Sequence, residues 1–233
     1  MSAFAAESTI VLVHGAWADG SCWDKVILPL RNVGLRVACA QIPLTSLTQD
    51  IAALELLLER THGSVILVGH AYAGAVIAGP EDDRIKSLVY IAALAPTEAE
   101  TVGDVFYRAK AHRQAPQLQP DAHGLIWMPE GGFASAVAHE ASPDQNAILE
   151  AVQRPISLKC IQERSPVPTW KAKPSWYLLA EEDRMIAPGT QRYMAERMGA
   201  KIRTHKVDHS PMHSQPDVVV RVILEAAQAT LVG

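Results

Sequence analysis

Two periodicities alternate along the first half of the chain. Short, unbroken apolar runs occur at 9–13 (TIVLV), 35–40 (LRVACA), 64–68 (SVILV) and 87–92 (SLVYIA). Runs of this length, rich in β-branched residues, suit strands buried on both faces, as in a parallel sheet. Between them the spacing becomes helical. Trp23, Val26, Ile27 and Leu30 recur at helix spacing within 21–33, and Ile51, Leu54, Leu57 and Leu58 form one apolar stripe within 47–62. Ser46 followed by Gln49 predicts a capping-box start for that helix, and Gly63 predicts its stop. Strand and helix in strict alternation predict a doubly wound α/β sheet.

The rhythm breaks after Pro96. Over 97–173 the pattern predicts helices at 98–112, 132–139 and 146–153, punctuated by prolines, and no buried strand. The sheet pattern then resumes. A strand is expected at 175–180 (SWYLLA), a helix at 190–198 ended by Gly199, an alternating strand at 201–207, and a closing amphipathic helix at 216–231. The expected organisation is a core built from 1–96 and 174–233, with 97–173 inserted as a helical cap.

Composition narrows this picture. A length of 233 residues suits one α/β domain, long enough to bury a core. With 48% hydrophobic and 20% charged residues the chain is of ordinary globular type. Its net charge of -4 comes without a basic stripe, which argues against a nucleic-acid partner. No apolar run approaches a membrane span, and the opening MSAFAAEST lacks the charged and apolar regions of a signal peptide, so a cytoplasmic protein is expected. Cys22, Cys39 and Cys160 are odd in number, widely spaced and without a CxxC pair, which predicts small buried side chains in a reducing compartment. Asp19, Asp24 and His62 do not have a metal-ligand spacing. Neither a metal nor a cofactor is expected.

The chemistry-bearing segment is VILVGHAYAGAVI, residues 65–77. A strand runs into Gly69-x-Ala71-x-Ala73-Gly74, and a helix follows. A G-x-S-x-G turn between strand and helix presents a nucleophile on a strained backbone, and its neighbours must be small for the backbones to approach. The helix N-terminus then aims N–H groups at a developing oxyanion. Here Ala71 occupies the nucleophile's place, with no proton to give and no lone pair to attack with.

Four segments together resemble α/β-hydrolases. VGHAYAGAVI looks like their elbow, which usually reads VGHS-[YLM]-[GA]-G. VLVHGAW, residues 11–17, looks like the strand and loop of their oxyanion hole. LAEEDR (179–184) resembles the strand end that carries the acid, and DHSPMHSQP (208–216) the loop that carries the histidine. The order of the three positions, Ala71, Asp183 and His209, is also the order nucleophile, acid, histidine of this fold. The similarity spans the chain apart from the cap, and is greatest to the small esterase, lactonase and hydroxynitrile-lyase branch that includes methyl-salicylate esterases.

The resemblance implies roles. His209 would be the general base; His205 and His213 lie close by in the sequence, and His213 is the fallback for the part. Asp183 would hold the imidazole, favoured over Glu181 and Glu182 by the context Arg184-x-Ile186-x-Pro188. Backbone N–H groups of Ala16 and Tyr72 would form the oxyanion hole. His14 and His70 read as structural, and Trp17, Trp127 and Met128 as candidates to line a substrate pocket.

Ala71 admits three readings: a serine esterase or lactonase silenced by Ser→Ala, nucleophile-free His/Asp chemistry of the lyase or cofactor-free oxygenase kind, and a non-catalytic small-molecule binder. The intact surroundings favour the first. The expected partner is a small ester or lactone, and the sequence leaves room for a homodimer.

Overall fold

The computed structural model describes Phe4 and residues 8–232. Most of the N-terminal stretch read above for a signal peptide lies outside the described residues. Six strands form one all-parallel sheet: β1 (Thr9–Val13), β2 (Arg36–Ala40), β3 (Val65–His70), β4 (Ile85–Ile91), β7 (Ser175–Ala180) and β8 (Lys201–His205), in the order β2-β1-β3-β4-β7-β8. The intervening β5 (Leu125–Ile126) and β6 (Ile156–Ser157) form a separate antiparallel pair.

The unbroken apolar runs are explained by burial on both faces. Alternate strand residues divide between two hydrophobic clusters. Val11, Leu67, Tyr90 and Leu179 pack on one side of the sheet, Ile10, Val68, Val89 and Leu178 on the other. On the second side lie α1 (Asp24–Asn32) and α9 (Pro216–Thr230), where Val219 and Ile223 are fully buried. Fully burying side chains of that size stabilises by about 1.5–3 kcal/mol each. The first side is covered by α2 (Leu47–Glu59), α3 (Ala73–Ile77) and α7 (Pro188–Arg197), and its cluster continues through Val102, Ile126 and Phe133. The segment between β4 and β7 thus shares a core with the sheet.

That segment departs from the sequence pattern. The helix expected over 98–112 is reduced to α4 (Val102–Phe106), opened by a capping box between Thr101 and Asp104. From Tyr107 to about Gly124 the chain has no regular helix, since exposed Lys110, Arg113 and Gln117 leave no apolar stripe to bury. A π-helical turn spans Phe133–Val137, and α5 (Pro143–Val152) starts earlier than expected because Ser142 caps it and a proline occupies its first turn. The expectation of no strand is corrected by β5 and β6, whose two residues each are too short to leave a period-2 signature. The short α6 (Leu158–Gln162) was not foreseen either. In α2 the capping box is half made: Ser46 accepts from the Gln49 N–H, while the Gln49 side chain bonds Thr45 instead.

The topology fixes where a site can form. From β1 the chain passes to β2 on one side, then returns to β3 on the other. The C-terminal ends of β1 and β3 therefore flank a switch point, where open α/β sheets leave a crevice.

Candidate active site

The turn after β3 brings Ala71 into that crevice. Ala71 holds φ at +50°, a left-handed conformation that costs an alanine roughly 1–2 kcal/mol. Three hydrogen bonds pin it there: Ala71 N–H donates to Ile91 O at 3.3 Å, and Ala71 O accepts from Gly74 N at 3.1 Å and Leu94 N at 2.9 Å. The small residues around it are required. A Cβ on Gly69 would lie 2.8 Å from Ala73 O, and one on Gly74 would lie 2.3 Å from Leu94 O.

Asp183 stands in the turn after β7, and His209 in the loop after β8; both are buried. His209 Nδ1 lies 2.7 Å from Asp183 Oδ2. An ionised carboxylate only accepts, so the proton sits on Nδ1 and the Nε2 lone pair is free. No partner for Nε2 is found among the described residues, and His209 lines the same cavity as Ala71. Asp183 is held in turn by three donors: Met185 N–H at 2.7 Å and Ile186 N–H at 2.8 Å to Oδ1, and Gln191 Nε2 at 2.8 Å to Oδ2. Glu181 and Glu182 are exposed and take no part. His205 and His213 are not in the cavity wall.

His70 and His14 are structural. His70 Nε2 donates to His209 O at 2.7 Å and so fixes the backbone of the histidine loop, and burial together with the neighbouring imidazole of His209 pushes its pKa well below the usual value. His14 Nδ1 donates to Gly15 O at 2.9 Å and its Nε2 accepts from Ile42 N–H at 3.2 Å. Burial lowers His14 to about 4, so it is neutral near pH 7.

Ala16 and Tyr72 both line the cavity, and neither backbone N–H donates to a protein acceptor among the described residues. The cavity is about 50 Å³ and apolar, walled by Leu94, Val102, Ile156, Ile161 and Ile186 among others. Trp17 also lines it, its Nε1 donating to Ile126 O at 3.0 Å. Trp127 and Met128 do not line it. Trp127 is 46% exposed, while Met128 is buried against Gly132 with its backbone tied to the Gln153 amide. The two-residue β5 puts Ile126, not its neighbours, on the cavity side.

Asp50 went unread. It is fully buried on α2, with Oδ1 accepting from Leu44 N–H at 2.7 Å and Oδ2 from the Tyr72 hydroxyl at 2.7 Å. The Cys160 thiol also reaches Oδ2, at 3.5 Å. Burial raises the Asp50 pKa despite these bonds, and lifts Cys160 to about 12. The signal was present: Asp50 falls on the same helical face as Leu47, Leu54 and Leu58, an acid within an apolar stripe. Cys22 and Cys160 are buried and Cys39 half-buried, all three free, and burial pushes their pKa values up, so none is a reactive thiolate.

Among the described residues, one metal-type group occurs: His139, Glu140 and Glu182 place ligand atoms within 4.8 Å of one another near the surface. Asp19, Asp24 and His62 are not gathered in this way. No helix among the described residues is long and apolar enough to cross a membrane.

Known proteins resemble this chain in sequence and in fold. Methylesterase 2 of Arabidopsis thaliana is 27% identical over 250 residues, covering 93% of this chain and 95% of the relative. The carbendazim hydrolyzing esterase of a Nocardioides species is 33% identical over 111 residues, 41% of this chain and 46% of the relative. Among solved structures, polyneuridine aldehyde esterase superposes with a TM-score of 0.82 at 18% identity over 94% of this chain and 98% of its own. A mutant of tomato methylketone synthase I gives 0.82 at 19% identity over 97% and 99%. The profile of the alpha/beta hydrolase family matches residues 10–222, nearly the whole described chain, and the protein belongs to that family, in its esterase-like branch.

Proposed function

We propose that this site is that of a carboxylic-ester or lactone hydrolase in its Ser→Ala form, complete except for the nucleophilic oxygen at position 71. One observation carries the reading. Ala71, His209, Ala16 and Tyr72 line a single apolar cavity, the His209 Nε2 and the Ala16 and Tyr72 N–H groups have no protein partner among the described residues, and Asp183 is locked to the imidazole at 2.7 Å. With a serine at 71, His209 takes the hydroxyl proton as the oxygen attacks the ester carbonyl. The carbonyl electrons move onto oxygen, where Ala16 and Tyr72 hold the charge. The imidazolium then protonates the leaving alcohol, and water releases the acid from the acyl-enzyme. Asp183 fixes the tautomer and balances the imidazolium. Residues 97–173 act as the cap, supplying the walls from Val102 to Ile161.

The test is hydrolysis of p-nitrophenyl acetate and butyrate by the unaltered chain, by Ala71→Ser, and by Ala71→Ser with His209→Ala. The single variant should gain at least about 10³-fold over the unaltered chain, since loss of a triad member costs roughly 10⁴ to 10⁶. The double variant should lose that gain. No gain on these esters or on a lactone panel would refute the reading.

A second reading is favoured by the free Nε2 itself. A base beside an oxyanion hole removes a proton from carbon next to a bound carbonyl. The C–H pair flows into the enolate, whose charge rests on the Ala16 and Tyr72 N–H groups. It predicts exchange of α-hydrogens for deuterium by the unaltered chain, abolished in His209→Ala. A chain that only binds would give ligand-dependent melting shifts and neither activity.

A further inference from the structure

Tyr107 and Leu118 line the small cavity and also both larger grooves beside it, one of about 360 Å³ and one of about 670 Å³. They stand where the three spaces meet. Tyr107, 66% exposed, closes α4 with its ring edge-on to Phe106 at 4.9 Å, and Leu118 lies in the irregular stretch that follows.

Size and charge then constrain what reaches Ala71. Small-molecule sites commonly enclose about 300–1,000 Å³. The chamber at Ala71 offers about 50 Å³, so only a short part of a ligand fits and the remainder must occupy a groove. No Lys, Arg, Asp or Glu lines the chamber. A charged group entering it would be desolvated without a partner, which is costly.

The chemistry of the site selects the groove. In ester hydrolysis His209 protonates the departing oxygen, so the alcohol portion projects toward the histidine and its acid. The 360 Å³ groove lies on that side: it shares Met185 with the chamber and adds Ala187, both in the turn that follows Asp183. Phe106, Ala109, Ala115 and Pro116 give it an apolar lining, with Lys110 and Gln117 among its polar members. The 670 Å³ groove shares Ile126 and Ile161 with the chamber instead, and opens past Asp104, Leu158 and Gln162, away from the turn after Asp183.

We infer that the substrate class is an uncharged ester of a short-chain acid with a bulky apolar alcohol or phenol, the acyl group in the chamber and the alcohol in the groove beside Met185. Tyr107 and Leu118 set the acyl-length limit. The assignment rests on the ester reading above but is tested by binding, because Ala71 leaves bound esters intact.

The experiment is calorimetric titration of the unaltered chain with 2-naphthyl acetate, 2-naphthyl octanoate and the anionic mono-2-naphthyl succinate. The acetate should bind at least tenfold more tightly than either of the others. Tyr107→Ala with Leu118→Ala should recover at least fivefold in octanoate affinity. Ala115→Trp should weaken acetate binding at least tenfold, while Gln162→Trp, in the other groove, leaves it unchanged. Ala111→Trp, at an exposed position of the same groove, repeats the block should Ala115→Trp fail to fold. Octanoate or succinate binding as tightly as acetate overturns the inference. So does a loss caused by Gln162→Trp and not by either groove block. An inactive Ala71→Ser chain that still shows this binding pattern would instead count against the hydrolase chemistry alone.

Discussion

Replacing Asp50 probes the strut that ties Leu44 to Tyr72, the residue after Ala71. Its carboxylate receives the Leu44 N–H and the Tyr72 hydroxyl, each at 2.7 Å and each buried. Asp50→Ala removes both acceptors at once. A buried donor left without a partner costs about 1–3 kcal/mol, so two orphaned donors sum to roughly 2–6 kcal/mol. Against this stands relief of the buried carboxylate's own desolvation, which is what raises its pKa. A net loss of about 2–4 kcal/mol at pH 7 is expected. Asp50→Asn keeps one acceptor oxygen, which can serve Leu44, and should cost about half as much. The assay is urea denaturation followed by far-UV circular dichroism, with stability from linear extrapolation. In a Tyr72→Phe background the cost of Asp50→Asn should shrink by about 1 kcal/mol, because the hydrogen bond it breaks is already gone. Costs below about 0.5 kcal/mol for both Asp50 variants, or full additivity with Tyr72→Phe, would refute the strut.

Other outcomes follow from the same geometry. Gly74→Ala places a Cβ 2.3 Å from Leu94 O and should destabilise by about 2 kcal/mol or more, read as a lowered melting temperature; an unchanged melt would contradict the close approach. His14 is held neutral with its pKa lowered from 6.5 to about 4, so it contributes stability above pH 6.5 that is lost as pH falls through 4. That window corresponds to about 3 kcal/mol, and His14→Gln should flatten the pH dependence of unfolding there. In the Ala71→Ser chain, Asp183→Asn should lower kcat by roughly 10⁴ through loss of the correct imidazole tautomer, with little change in KM.

How much of this was legible in the sequence varies with the kind of force involved. The strands of the sheet were readable because each is buried on both faces, so every residue is apolar and the run stands out; SWYLLA matches β7 to the residue. The elbow was readable because sterics leave it few choices: Gly69 and Gly74 have no room for a Cβ. The order of Ala71, Asp183 and His209 followed from resemblance across several segments. The region 97–173 was read least well, since helices of five residues and strands of two are shorter than the periods that would reveal them.

What the tertiary structure decided is which residues meet. The bond from His209 to Asp183 spans 26 positions, that from His70 to the His209 carbonyl 139, and the Cys160 contact with Asp50 110. Local pattern carries no trace of such pairings, because the cost of closing those loops is met by the packing of the whole sheet and not by the residues that touch. The same reason explains the cavity. Trp127 and Ile126 are adjacent in sequence and both apolar, yet Ile126, paired with Ile156 in the β5–β6 ladder, lines the cavity while Trp127 is half exposed. The sequence alone determined the fold and the alanine at the turn after β3; the packing determined the chamber, the place of Tyr107 and Leu118 at its edge, and the buried carboxylate bonded to Tyr72.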